Sequence, residues 1–302
     1  MALKDLRNRI AAIKSTEKIT SAMKMVAAAR LRKVQDLLMK SATYRDNLYT
    51  SAGRLLSVLE REAEEKGQLL EFPKICNRSK EDKQYLLVVL SSDRGLCGSY
   101  NVMIARTAVK RIEELKAAGK DVKIICLGIR CYNILKRNYK DIIIRNADSL
   151  ASGGVSYGEA VALAEELRGM FENGEIDSCE VVYSRFESAI TRDTSSYRIL
   201  PFDLSGLYET LPSDREGDAF YEAEPNNKDL FNDLIPLVFK ELIFHIMINA
   251  QASEQSARMT SMENATKNAE DIISKLTLKY NRLRQAAITT ELVEIIAGAE
   301  AV

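Results

Sequence analysis

The N-terminal segment carries apolar side chains at every third or fourth position, and no Pro or Gly interrupts the chain from Met1 to Ala52. This spacing predicts one long helix whose apolar residues form a seam, the row that faces a partner helix in a coiled coil. About 55 residues in a helix would extend about 80 Å. The predicted seam comprises Leu3, Leu6, Ile10, Ile13, Ile19, Met23, Val26, Val34, Leu37, Tyr44, Leu48, Leu55 and Val58.

The middle of the chain alternates between short apolar runs and helical patterns. The runs are QYLLVVL, DVKIICLG, DIIIR and CEVVYSRF, and helical spacing lies between them at about 101–118, 128–138 and 157–172. Such alternation predicts a Rossmann-like α/β layer with a mostly parallel sheet. The run TSSYRILPF adds a further strand, and the acidic, Pro-containing stretch from Asp203 to Asn227 predicts a loop or linker.

A second long helical pattern begins after Asn226 and runs to about Ala297, where Gly298 predicts its end. Pro236 lies near the start of this pattern and should kink or break the helix. The predicted seam comprises Met259, Met262, Thr266, Ala269, Ile273, Leu276, Tyr280 and Leu283.

We therefore predict an α/β fold with long helical extensions. An antiparallel coiled coil of the N- and C-terminal helices accompanies a central Rossmann-like α/β domain. The predicted boundaries are 1–60 for the first coiled-coil helix, 61–225 for the globular domain and 226–302 for the second helix.

The end of the chain, NRLRQAAITTELVEIIAGAEAV, is apolar on more than one side of the predicted helix. Ile288, Leu292, Ile295 and Ile296 cluster on one side, whereas Leu283 and Val293 fall toward the other. The second predicted helix is also the longer one, so its end would extend past the first. An unpaired helix end that is apolar nearly all round predicts insertion into a socket in another protein.

Charge is distributed unevenly, although the formal net charge of the chain is zero. Residues 1–40 hold ten Lys and Arg against three acidic residues, so this segment carries +7 and the remainder −7. The asymmetry indicates an acidic partner or a polyanion, and a solvated helix face is the alternative. Nucleic-acid binding is disfavoured because the basic residues are spread around the helix and no aromatic residue precedes Tyr44.

No catalytic, cofactor or metal constellation is visible in the sequence. SSDRGLCGSYN follows a predicted strand but lacks a phosphate-loop pattern, so a tight strand-to-helix turn is favoured. ASGGVSYGEA predicts a flexible loop. The only histidine, His245, lies in an apolar helical stretch and is expected to be a packed or capping residue. The five dispersed cysteines, with no CxxC pair, predict reduced thiols rather than a zinc site.

Three blocks resemble the gamma subunit family of rotary proton-translocating ATP synthases, and the resemblance covers nearly the whole chain. They are RIAAIKSTEKITSAMKMVAAARLRK near the start, the central loop SSDRGLCGSYN, and the segment from ASEQSARM to the end. The family pattern ITxExxExxxGAxA is filled by Ile288, Thr289, Glu291, Glu294, Gly298, Ala299 and Ala301.

The resemblance implies a central-stalk rotor that performs no bond chemistry itself. Its implied partners are a hexamer of three alpha and three beta subunits, an epsilon-type subunit and the membrane c-ring, with no nucleic acid and no small-molecule substrate. Rotation of the shaft would couple proton flow to ATP synthesis or hydrolysis.

The resemblance also implies a set of contact residues on this chain. Arg284 and Gln285 would be polar latches to a beta-subunit loop, Met23 a fitted apolar contact, and Thr289 and Glu291 further socket-side groups. Support of the chain's own coiled coil is the competing interpretation of these polar residues. Arg30, Arg32 and Lys33 would face an acidic beta-subunit loop, and Ile288, Leu292, Ile295 and Ile296 would occupy the apolar sleeve of the hexamer.

Two other functional classes stay open from the residues alone. One is a coiled-coil adaptor for an acidic partner or nucleic acid, and the other is an α/β enzyme with helical oligomerisation arms. The sequence has no apolar run long enough for a transmembrane helix and no apolar signal core at its N-terminus. We expect a peripheral protein on the cytoplasmic face of a bacterial inner membrane, with the matrix face of a mitochondrial inner membrane as the alternative.

Overall fold

Two long helices, α1 (Leu3–Lys66) and α6 (Asn227–Glu300), begin and end the described chain. The structure, a computed structural model, describes residues 3–77, 82–147, 154–189, 191–208, 224 and 226–300. Between the long helices lie β1 (Gln84–Leu90), α2 (Tyr100–Ala117), β2 (Asp121–Leu127), α3 (Ile129–Tyr139), β3 (Ile143–Ala147), α4 (Tyr157–Glu172), β4 (Ser178–Phe186), β5 (Arg192–Leu200) and the short α5 (Ser205–Tyr208). Single 3₁₀ turns occur at Lys74–Cys76 and Lys140–Ile142.

The strands form one sheet in the order β3-β2-β1-β4-β5. β1 pairs in parallel with β2 and β4, β2 pairs in parallel with β3, and β5 runs antiparallel to β4. Helices connect the parallel strands, as crossovers in a layered α/β fold require. The predicted Rossmann-like layer is confirmed, and so is the further strand at TSSYRILPF, which the structure places antiparallel at the edge of the sheet.

The continuous apolar runs become strands because both faces of the central sheet are covered. In β1 every residue after Gln84 is buried, and β4 is buried from Ser178 to Ser184. One face packs against α2 and α3, where Ile104, Ile112 and Leu135 contact the strand side chains in a single apolar cluster. Burial on this scale, at about 25 cal/mol per Å² of apolar surface, is the main stabilising contribution.

Local signals fix where individual elements begin. Ser156 caps α4, because its hydroxyl accepts a hydrogen bond from the Glu159 amide at 3.2 Å while the Glu159 carboxylate accepts from the Ser156 amide at 3.1 Å. In the run ASGGVSYGEA, residues 151–153 lie outside the described residues. Within the predicted linker, α5 forms at Ser205–Tyr208, and residues 209–223 and 225 lie outside the described residues.

Pro236 does not break α6, so the predicted break is wrong. The helix is continuous from Asn227 to Glu300 with Pro236 inside it. A proline removes one backbone donor and crowds the preceding turn. Here the flanking Ile235, Val238 and Phe239 are buried, and their packing holds the helix through that position.

The chain divides into two compact units, each containing part of both long helices. Unit 1 joins Met1–Arg30 with Arg258–Val302, and unit 2 is Leu31–Ala257. In unit 1, Thr20 contacts Thr266 and Lys24 contacts Glu263. In unit 2, Arg45 contacts His245 and Glu62 contacts Asn227. In each unit, a later residue of α1 contacts an earlier residue of α6, so the predicted antiparallel pairing is confirmed.

Candidate functional site

The candidate site is the part of α6 that extends past the start of α1 in unit 1. The two helices pair through small side chains at this level: Ala27 of α1 and Ala269 of α6 are buried, and so is Met262. The hydroxyls of Thr20 and Thr266 approach to 2.8 Å in the same seam. Small residues permit close approach of two helix backbones, which explains why the pairing here does not require large apolar residues on both sides.

The predicted seam is correct on α6 up to Tyr280, beyond which Leu283 is exposed, and it is partly wrong on α1. On α6, the seam residues from Met259 to Tyr280 are buried or half-buried. On α1, Ile19, Val26 and Tyr44 are exposed, although the spacing placed them in the seam. The predicted positions Leu6, Ile10 and Ile13 are buried or half-buried, but further along unit 1 the seam runs one position later, through Thr20 and Ala27, because these smaller side chains fit between the helices.

The register of unit 1 shows where the pairing ends. In an antiparallel pair, each step back along one helix is matched by a step forward along the other. Going back from Thr20 to Leu3, the first residue of α1, therefore leads forward from Thr266 to Leu283 on α6. Leu283 is exposed, whereas the preceding seam residue Tyr280 is half-buried, and the helix continues to Glu300. The predicted overhang is therefore present and extends about 25 Å beyond the described start of α1.

The overhang exposes apolar side chains on several sides. The predicted tip residues Ile288, Leu292, Ile295 and Ile296 are all exposed, with Ile295 at 72% of its full accessible area. Val293, which points away from them, is also exposed. Single exposed apolar residues are ordinary on protein surfaces, but a contiguous set marks an interaction site. We refer to residues 283–296 of α6 as the apolar tip.

The predicted polar contact residues of the apolar tip are all on its surface. Arg284, Gln285, Thr289 and Glu291 are exposed. The Thr289 hydroxyl donates to the Gln285 carbonyl oxygen of its own helix at 2.9 Å, which leaves the Gln285 side chain outside that bond. Arg284 and Ile288 lie one turn apart on one face of the helix. A partner that covers the apolar residues would therefore meet the polar ones as well.

The remaining predicted contact residues lie on α1. Met23 is half-buried, and Arg30, Arg32 and Lys33 are exposed. Met23 and Arg30 belong to unit 1 with the apolar tip, whereas Arg32 and Lys33 belong to unit 2. An apolar surface that the sequence pattern did not predict lies beside Met23, where Ile19, Met25 and Val26 are exposed. The small residues Thr20 and Ala27 at seam spacing were the signal that could have revealed it.

The strand-to-helix turn SSDRGLCGSYN uses its polar groups internally. The Ser92 amide donates to the Asn101 side-chain oxygen at 3.1 Å, and the Ser92 hydroxyl donates to the Arg94 carbonyl oxygen at 2.7 Å. Asn101 also donates to Cys97 Sγ at 3.1 Å. Gly98 adopts a φ of 59°, which favours glycine. The turn interpretation is confirmed.

Four of the five cysteines are buried core residues, and Cys76 is half-buried. Cys126 and Cys179 are fully buried, as predicted, and all five thiols are free. Burial raises the pKa of the Cys126 and Cys131 thiols to about 12, so neither is an activated thiolate. Within the described ranges, no group of three His, Cys, Asp or Glu side chains is placed to hold a metal ion. The same ranges contain no helix long and apolar enough to cross a membrane.

Comparisons with known proteins agree with this architecture. The family model described as ATP synthase matches residues 2–302. The "ATP synthase gamma chain" of Maricaulis maris is 40% identical over 300 residues, covering 99% of each chain. A structure of the Tetrahymena thermophila mitochondrial ATP synthase central stalk and c-ring has a TM-score of 0.57 at 25% identity, covering 82% of this chain and 99% of that one. The Euglena gracilis mitochondrial ATP synthase rotor shares the fold, with a TM-score of 0.63 at 18% identity over 95% of this chain and 98% of that chain.

Proposed function

The chain belongs to the ATP synthase gamma chain family, and we propose that it is the rotating central-stalk subunit of such a complex. In this role it couples proton flow through a membrane ring to ATP synthesis or hydrolysis in a hexamer of alpha and beta subunits. The catalytic sites belong to that hexamer, and this chain contributes no bond chemistry. Its further partners are an epsilon-type subunit and the c-ring.

The apolar tip is the observation that carries this proposal. A helix end with isoleucine and leucine exposed on several sides is unfavourable in water, and each such side chain gains roughly 1.5–3 kcal/mol when it is fully buried. A ring of subunits can cover such an end on every side, whereas a flat partner covers one face. The apolar sleeve of a hexamer fits this requirement, with Ile288, Leu292, Ile295 and Ile296 inside it.

The exposed polar residues suit contacts that must form and break as the shaft turns. Exposed ion pairs contribute only about 0–1 kcal/mol, so a single one does not arrest rotation. We assign Arg284 and Gln285 as latches to a beta-subunit loop, with Thr289 and Glu291 beside them. Met23 is a fitted apolar contact, and its exposed neighbours Met25 and Val26 extend the same surface.

Arg30, Arg32 and Lys33 are assigned to an acidic loop of the beta subunits. All three are exposed on α1, and the described residues include no ion pair that uses any of their side chains. Their charge is therefore available to a partner, and screening by salt would weaken the contact. The proposed location is the cytoplasmic face of a bacterial inner membrane, on the side where the hexamer lies.

Assembly with the hexamer tests the proposal. The chain is co-expressed with alpha and beta subunits, and the variant replaces Ile288, Leu292, Ile295 and Ile296 with Gln, which keeps helix propensity but removes the apolar surface. The wild-type chain should co-purify at one copy per hexamer. The variant should lose more than about tenfold in assembly or coupled ATP turnover, because four buried apolar contacts are removed.

A matched control separates the apolar tip from exposed apolar surface in general. Leu69→Gln changes a side chain that is 97% exposed and lies in unit 2, outside the apolar tip, and it should assemble and couple normally. A second variant replaces Arg30, Arg32 and Lys33 with Gln, and it should show weaker coupling of ATP turnover to rotation at low salt. Full assembly and coupling in the tip variant would contradict the proposed function.

A further inference from the structure

A cluster of ionisable side chains lies between α1 and α6 in unit 2, and the proposed function makes no use of it. Glu241 and His245 stand one helical turn apart on α6. Arg45 of α1 contacts His245 and interacts electrostatically with Glu241. Arg45 Nη1 is 3.1 Å from His245 Nδ1 and 2.9 Å from Nε2. The guanidinium also donates to the exposed Asp46 carboxylate at 3.1 Å.

The hydrogen bonds of this cluster require a neutral His245. Asn249 Nδ2 donates to the His245 carbonyl oxygen at 3.0 Å, and this contact fixes which end of the Asn249 amide faces His245. The same nitrogen donates to His245 Nε2 at 3.0 Å. Nε2 is therefore an acceptor. A protonated imidazole would also place a second positive charge against Arg45. Burial and Arg45 lower the pKa of His245 to about 4.

At Glu241, burial disfavours the ionised form of the side chain. Its side chain is only 1% exposed, and Oε1 has no hydrogen-bond partner among the described residues. A buried carboxylate without hydrogen bonds is unfavourable, so the neutral acid is preferred. Burial raises the pKa of Glu241 to about 7, although Arg45 opposes this change. The orphaned oxygen and the nearby guanidinium make an ion pair available once the acid ionises.

Few other charges face Glu241. From α1, Tyr44 and Tyr49 accompany Arg45 and Asp46, and burial raises the pKa of Tyr49 to about 12. From α4, Tyr157 interacts electrostatically with Glu241, and Glu165 pairs with Lys240 at 2.6 Å. Burial raises the pKa of Tyr49 and of Tyr157, so both are neutral near pH 7, and Lys240 is already paired. Arg45 is therefore the cation left to respond to Glu241.

We propose that Glu241, His245 and Arg45 form a proton-dependent latch between α1 and α6. In the latched state Glu241 keeps its proton, and Arg45 rests against the neutral His245 ring. When Glu241 releases its proton to solvent, Arg45 moves from the ring to the new carboxylate. Arg45 therefore links α1 to α6 in both states, and its partner on α6 depends on pH near neutrality.

The two groups have opposite linkage to folding. The folded chain holds the Glu241 proton more tightly than the unfolded chain, so this stabilisation is present at low pH and is lost as pH rises from 4.5 to about 7. The folded chain binds a proton at His245 less tightly, so that stabilisation is present above 6.5 and is lost as pH falls toward about 4. Where the two ranges overlap, from pH 4.5 to 6.5, the two dependences oppose each other.

The single histidine allows a direct test by NMR. In the full-length chain without a histidine tag, ¹³C-labelled histidine gives one imidazole signal, from His245. We expect the chemical shift of this signal to show no imidazole protonation at the ordinary histidine midpoint of 6.5. It should show a smaller change with a midpoint near pH 7, which reports the ionisation of Glu241. That smaller change should vanish in Glu241→Gln and persist in Glu270→Gln, which changes an exposed residue of α6.

Thermal unfolding provides the second readout. Relative to the wild-type chain, the melting temperature of Glu241→Gln should rise as pH increases from 4.5 to 7, whereas that of His245→Gln should rise as pH decreases from 6.5 to 4. A histidine signal that titrates with a midpoint near 6.5, or a neutral-pH step that survives in Glu241→Gln, would overturn the proposal. Failure of the hexamer assembly test would leave these results unaffected.

Discussion

The two ends of α6 are both apolar on several sides, yet this chain buries only one of them. Near its start, Phe231, Ile235 and Phe239 are completely or almost completely buried within unit 2. Near its end, Ile288 and Ile295 are exposed in unit 1. Similar side chains in one continuous helix therefore have opposite environments.

This difference shows what an all-round apolar pattern predicts. The pattern indicates that a helix segment requires cover from several directions, but it does not identify the molecule that provides the cover. For the first end of α6, the rest of unit 2 provides it. For the apolar tip, the register of unit 1 leaves no described residue of α1 beside it, and the proposed hexamer would provide the cover.

Alanine substitutions at the two ends should produce the largest contrast. Ile235→Ala, at a fully buried position, should reduce the free energy of unfolding by about 2–5 kcal/mol, because it removes buried methyl groups and leaves a cavity. Ile295→Ala should change it by less than about 0.5 kcal/mol, since the side chain is already in water. Urea denaturation of the full chain measures both.

When binding is measured instead of stability, Ile295→Ala should have the larger effect of the two alanine variants. In the hexamer assembly assay, Ile295→Ala should weaken binding while its own fold stays intact. Equal losses of unfolding free energy at the two positions would mean that the apolar tip is covered by its own chain, and the comparison would then fail.

Pro236→Ala tests how strongly packing stabilises the buried end of α6. Proline inside a helix is unfavourable by about 3 kcal/mol, and the surrounding packing holds α6 together despite it. Restoring the backbone donor should therefore raise the free energy of unfolding by about 1–3 kcal/mol, measured by urea denaturation. Leu237→Ala is the control, because this neighbouring side chain is partly exposed and should change stability by less than about 1 kcal/mol. A loss of stability in Pro236→Ala would show that the ring itself contributes essential packing.

Much of the fold follows from local pattern. The parallel strands were predictable because a strand covered on both faces is apolar at nearly every position, as β1 is. The seam of α6 was predictable because its coiled-coil spacing continues without interruption to Tyr280. The seam of α1 was predictable only in part, because around Thr20 the small residues Thr20 and Ala27 lie in it while the larger Ile19 and Val26 are exposed.

The candidate site was predictable only in part. The apolar tip is visible in the sequence because its residues are adjacent on one helix. The Arg45–His245 contact is not, because 200 residues separate the two positions and neither lies in a motif. The individual roles of Arg284, Gln285, Thr289 and Glu291 depend on a partner surface, which the sequence of this chain does not contain.

The smallest expected effect lies between the two ends, at the Thr20–Thr266 contact of unit 1. Each hydroxyl also lies within bonding distance of a carbonyl oxygen of its own helix, Thr20 with Glu17 at 3.0 Å and Thr266 with Met262 at 2.9 Å. Two hydroxyl hydrogens thus serve three contacts, and the cross-helix bond competes with the other two. Thr266→Val should reduce the free energy of unfolding by only about 0.5–1 kcal/mol, because Thr20 keeps its own carbonyl partner.

The double variant Thr20→Val with Thr266→Val decides whether that contact adds to seam stability. Because valine has nearly the shape of threonine and both partners of the bond are removed together, the pair should be almost neutral by urea denaturation. Because Thr20→Val alone should cost about as much as Thr266→Val, the cycle should then give a coupling energy of about 1–2 kcal/mol between the two positions. Strictly additive losses would show that the hydroxyls act separately, each within its own helix, and that apolar packing alone holds α1 against α6 up to the point where the apolar tip begins.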